Sequence, residues 1–171
     1  MFKAGEYVVH GGDGVCVIKS ISQMCFDGKN TREYYCLESL GKNSAVCFVP
    51  LSACKSLRPI MDKEDFEKLW ADWDKIETIP NQNIKLKNNL YKEEIKKRTC
   101  EGYIRLLKTI AESCQNRKKS GKTISATDER FWGEAFDSLK YEMSVSLGIT
   151  AEEAADKISR RFNAENLIKD K

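Results

Sequence analysis

A chain of 171 residues with 41% hydrophobic and 32% charged side chains is expected to fold as one ordinary domain or two small ones, not to remain disordered. Its 29 basic and 26 acidic side chains leave a net charge of +3, too even to imply nucleic-acid binding without local clustering. No apolar run approaches the ~18 residues of a membrane span, and the start MFKAGEYVV has no separate apolar segment before a cleavage site, so a cytoplasmic address is expected.

Residues 1 to 60 read as strands. Glu6 to His10 and Val15 to Ile18 flank the turn Gly11-Gly12-Asp13-Gly14, whose glycines supply positive φ. Further strands are expected from Ile21 to Phe26 and from Glu33 to Leu40, with Asp27-Gly28-Lys29-Asn30 as the hairpin turn between them. Ala45 to Pro50 completes a set of five. Five short strands with tight turns predict a small barrel or a strongly bent sheet.

From Asp62 the period becomes helical. Phe66, Leu69, Trp70, Trp73 and Ile76 share one face, with Asp62 as N-cap and Pro80 as terminator. Helices are predicted from Asn88 to Arg98 and from Cys100 to Cys114, followed by a basic loop from Lys118 to Lys122. Ser125 and Asp128 have the spacing of a capping box at the start of the next helix, and Gly148 sits where its C-terminal cap belongs. Thr150 and Glu153 repeat that spacing and open a last helix to about Phe162. The fold class expected is therefore α+β, with a β domain at 1–60 and an all-helical bundle at 61–171.

The residues converge on no catalytic set. Seven cysteines without a CxxC pair, beside one histidine, argue against a disulfide framework and against a zinc site, so no metal and no cofactor are expected. The cysteines read as small buried thiols. His10 lacks a nearby nucleophile with a recognisable signature, and its glycine turn leads into a strand, whereas phosphate loops open onto a helix. The carboxylates alternate with lysines on solvated helix faces. The tryptophans Trp70, Trp73 and Trp132 lie on apolar stripes, where they pack a core. An enzyme with a small-molecule substrate is not expected.

Basic clustering is the remaining feature. Lys85, Lys87, Lys92, Lys96, Lys97 and Arg98 form one group, and Arg117, Lys118, Lys119 and Lys122 a second. On one side of the helical domain, the two groups can hold DNA phosphates without reading sequence.

Several stretches together resemble the CarD/CdnL family, whose β domain is shared with transcription-repair coupling factors. They are Phe2 to Val9, with Gly5-Glu6 before the valines; His10-Gly11; Glu33 to Leu37; Val46 to Pro50; Leu57-Arg58-Pro59-Ile60; and Ile124 to Arg130. The resemblance implies a Tudor-like β-barrel that docks on the RNA polymerase β subunit by β-augmentation, here through Met24, Phe26, Val46 and Phe48. It also implies a helical domain that touches promoter DNA through Asn81, Gln82, Lys85, Lys87 and Arg130. Two departures stand out. Met24 and Phe48 replace arginines frequent in the family, and Gln82 replaces a tryptophan that wedges into the minor groove. The function implied is a polymerase-binding transcription regulator with weak, sequence-independent DNA contact, associated with the nucleoid through the polymerase. The alternative is an adaptor whose Tudor-like barrel binds another protein and whose helices have lost DNA.

Overall fold

Alternation of partly exposed and buried side chains along residues 34 to 39 marks a strand of the N-terminal unit in a computed structural model. The structure describes residues 1–11, 13–26, 28, 30–41, 45–80 and 84–162, with only the backbone of 84 and 85. Two compact units result, Met1–Met61 and Asp62–Lys171.

The first unit is a five-stranded antiparallel sheet: β1 (Tyr7–His10), β2 (Gly14–Met24), β3 (Arg32–Ser39), β4 (Val46–Pro50) and β5 (Leu57–Pro59). The strand order is β4-β3-β2-β1-β5. With β4 and β5 at opposite edges the sheet is open, so the closed barrel expected from the sequence is not what the described strands form. Two strands expected at Val15 to Ile18 and Ile21 to Phe26 are a single strand, β2, interrupted only by a bulge between Ile18 and Ser20. The bulge absorbs one extra residue and bends the strand without ending it. The fifth strand is Leu57–Pro59, reached through a 3-10 turn at Leu51–Ser56, and the sequence reading did not foresee it. Three residues are too few to show an alternating pattern.

One face of this sheet carries the core: Val8, Cys16, Ile18, Tyr35, Leu37, Val49 and Leu57, with Phe2 and Leu51 packed against it. Gly5 adopts φ 87°, and its N–H donates to the Ile18 carbonyl at 2.7 Å. The glycine before Glu6 thus serves a backbone conformation that L-residues rarely adopt, and it leads the chain onto β2.

The second unit holds α1 (Lys63–Ala71), α2 (Ile84–Lys97), α3 (Cys100–Lys119), α4 (Ala126–Leu147) and α5 (Ala151–Arg161). Its caps fall where the sequence placed them. The side chains of Asp62 and Ser125 accept from the N–H groups of Asp65 and Asp128. Gly148 closes α4 in the left-handed conformation, and Thr150 with Glu153 forms a reciprocal capping box. Buried Ile104, Leu107 and Ile110 of α3 and Trp132, Ala135, Leu139 and Met143 of α4 supply the centre of the core.

The first helix is shorter than expected. It stops at Ala71 and tightens into a 3-10 turn at Trp73–Lys75, long before Pro80. Trp73 and Ile76 remain buried, and the Lys108 ammonium donates to both of their carbonyls. That satisfies acceptors freed where the helical ladder is broken. Helix α3 runs past its expected end, so Lys118 and Lys119 belong to its last turn and not to a loop. Trp73 and Trp132 are core residues as expected, and Trp70 is half-buried against Trp73 and Phe66. Of the cysteines, Cys16, Cys100 and Cys114 are buried, whereas Cys25 and Cys54 are exposed, which the reading of all of them as buried thiols did not anticipate.

Candidate docking site on the edge strand

Period-two alternation fixes which side chains leave the sheet core. In β3 the buried residues are Tyr35, Leu37 and Ser39, so Tyr34, Cys36 and Glu38 point to the opposite face. Register sets Phe48 opposite Cys36, Val46 opposite Glu38, and Met24 opposite Arg32. All four residues expected at the polymerase contact are therefore anchored on or beside β2 and β4. Phe26, just past the end of β2, is 65% exposed, Val46 56% and Phe48 40%, whereas Met24 is partly covered.

The structure joins two of these residues and adds a third. The Phe26 ring meets Tyr34 edge-on, with centroids 5.0 Å apart, and lies 5.9 Å from Phe48. Three aromatic rings, from just past β2 and from β3 and β4, thus form one outward cluster, with Val46 two positions from Phe48 on the same strand. Sequence reasoning missed Tyr34. The doublet Tyr34-Tyr35 in a strand must send one ring inward and one outward, but which does which depends on register.

The backbone at this edge is equally informative. The Ser39 N–H donates to the Ala45 carbonyl at 2.9 Å. Antiparallel bonding alternates along a strand, so Val46 and Phe48 direct their own amide groups away from β3, to the open side of β4. The same two residues therefore offer apolar side chains and strand-pairing groups.

In the helical unit, the expected DNA-contacting residues are less uniform. Asn81 and Gln82 lie outside the described residues, as does the side chain of Lys85. Arg130 is exposed, 4.5 Å over the Phe131 ring, with Nη2 3.5 Å from Oδ1 of Asn88. Lys87 is engaged within the fold. Its ammonium contacts Asp128 Oδ1 at 2.6 Å and donates to Ser113 Oγ at 3.0 Å. Asp128 is fully buried and also accepts from Tyr91. A lysine committed to a buried carboxylate is a structural cation, poorly placed to leave for a phosphate.

One lysine of the first basic group shares a cleft with two members of the second. Lys87 and Asn88 of α2, Arg117 of α3, Lys122, and Ser125 before α4 all line one cleft, which also contains the acidic Glu112. Lys118 and Lys119 extend the basic charge on the last turn of α3, where cations suit the helix dipole.

No helix among the described residues is long and apolar enough to cross a membrane. No curated protein matches the chain. Residues 2–61, which span the sheet unit, match the model of the CarD-like/TRCF RID domain. The N-terminal unit belongs to that family, as the sequence resemblance implied.

Proposed function

We propose that the chain is a non-catalytic transcription regulator that binds RNA polymerase through its N-terminal unit. The single observation that carries this reading is the exposed cluster of Phe26, Tyr34 and Phe48 beside an open edge strand, within a domain of the CarD-like/TRCF type. The polymerase β subunit is the contact surface, and it extends the sheet from β4 while the aromatic cluster fills an apolar recess. Exposed apolar clusters of this kind are uncommon on monomers without a partner. Loss of the arginines frequent in this family leaves a contact dominated by apolar side chains.

The helical unit then contributes a weak, sequence-independent grip on promoter DNA. Support comes from the cleft that gathers Arg117 and Lys122, with Lys118 and Lys119 beside it. The wedge position is held by Gln82, and an amide gives no apolar wedge between base steps. The protein is accordingly a polymerase tether with a reduced hold on DNA.

Capture of partners from a bacterial lysate on immobilised full-length chain tests the proposal. Polymerase subunits are expected to dominate the captured proteins and to disappear with Phe48→Asp. Recovery of a different protein that depends on the same residue favours the adaptor reading instead.

A further inference from the structure

Beyond polymerase docking, a second cluster lies at the far end of β1. Nδ1 of His10, the one histidine of the chain, is 2.7 Å from Asp13 Oδ2 and 3.9 Å from Cys47 Sγ. The three donor atoms all lie within 4.8 Å of one another. They come from the end of β1, the β1–β2 turn and strand β4, and all three residues are partly buried with an opening to solvent. We propose that His10, Asp13 and Cys47 form a binding site for a divalent transition-metal ion of the zinc type.

The geometry suits an ion. Carboxylate and thiol both approach the same ring nitrogen, and the Cys47 thiol also hydrogen-bonds Asp13, so three donor groups converge on one place. An ion between them can be bound by all three at once. A tetrahedral zinc with ordinary bond lengths places nitrogen and sulfur about 3.6 Å apart, and nitrogen and oxygen about 3.4 Å apart. The sulfur is already near that position. The carboxylate must retreat by less than 1 Å from its present proton-bridged contact (order of magnitude, from the same bond lengths).

Mixed imidazole, carboxylate and thiolate donors suit zinc and its cobalt substitute better than magnesium or calcium. Three protein ligands leave one coordination place for water or a ligand from outside. A cysteine protease-like reading fails on the same geometry, because acid and thiol share one nitrogen where a triad uses two. Burial, reinforced by Asp13, also pushes the Cys47 thiol up to about 11, away from a free nucleophilic thiolate. A bound ion reverses that bias, since the metal displaces the thiol proton into solvent as the sulfur coordinates. Cys47 lies between Val46 and Phe48, so the ion ties the edge strand to the end of β1. The site was hidden in the sequence because Cys47 stands 37 positions from His10.

The test is a Co²⁺ titration of the reduced full-length chain, followed by near-ultraviolet thiolate-to-cobalt absorption and then displacement by Zn²⁺. One equivalent is expected to generate the band, and Zn²⁺ to remove it. Cys47→Ser is expected to abolish the band, with folding checked by circular dichroism. Asp13→Asn should keep a weaker band with at least tenfold lower affinity. Cys25→Ser and Cys54→Ser, which alter exposed thiols elsewhere, should leave it unchanged. Absence of a band in the unaltered chain overturns the site. So does a band that survives Cys47→Ser, or one lost with Cys25→Ser or Cys54→Ser, because either places the ion on other thiols.

Discussion

Lys87 and Asp128 form an ion pair of 2.6 Å across α2 and α4, with the lysine side chain 14% exposed and the aspartate fully buried. The same carboxylate accepts from Tyr91 and Ser125, so Asp128 joins a helix cap to a neighbouring helix. Breaking a buried pair by removing one partner typically costs about 3–5 kcal/mol, because the other charge is left uncompensated. Asp128→Ala is expected to destabilise the helical unit by that order. Replacing both residues, as Lys87→Met with Asp128→Leu, should cost less than the sum of the single changes. Urea unfolding followed by tryptophan fluorescence checks this, and a cost below about 1 kcal/mol for Asp128→Ala would contradict a buried ionic role.

The same carboxylate shapes the response to alkali. Burial first, then Asp128, raises the Tyr91 phenol above 10.0 and the Cys114 thiol above 9.0. Both groups are neutral when protonated, so raised values mean that folding favours the protonated forms. Their contribution is fully present below the unfolded values and is lost as pH rises through the folded ones. The urea midpoint of the helical unit is therefore expected to fall above about pH 9. Tyr91→Phe should flatten that decline, and an unchanged pH profile in the variant would show that Tyr91 does not contribute.

Local chemistry explains which features were legible in the sequence. Caps at Asp62, Ser125, Thr150 and Gly148 depend on a few adjacent residues, and each was found where its residues predicted. Strand β2 was split in the reading because a bulge at Ile18/Ser20 looks like a turn when only one strand is visible. The fate of Lys87 was hidden for a different reason. A lysine in a basic run resembles a phosphate ligand until the fold brings Asp128 to it from 41 residues away. In the docking face, Phe26, Val46 and Phe48 came from family resemblance, but only register revealed their company with Tyr34.

DNA binding by the helical unit is expected to rest on phosphate contacts alone. Each neutralised phosphate contributes about 0.9 to the slope of log affinity against log salt on duplex DNA. Lys119→Glu with Lys122→Glu should lower that slope by about 2 and weaken binding equally for unrelated sequences. Fluorescence anisotropy with two duplexes of different sequence checks both points. A variant that binds one duplex normally and loses the other would indicate base readout.

Docking is proposed to run through the Phe26, Tyr34 and Phe48 cluster. Its most direct measurement is the affinity of the full-length chain for an isolated lobe of the polymerase β subunit. Truncating a buried aromatic anchor at an interface costs about 2 kcal/mol or more, roughly 30-fold in affinity. Phe26→Ser and Phe48→Ser are each predicted to weaken binding at least tenfold, whereas Leu86→Ser, which alters an exposed apolar residue of the helical unit, leaves it within about twofold. No binding by the unaltered chain at tens of micromolar, or equal binding by the two phenylalanine variants, would contradict the account.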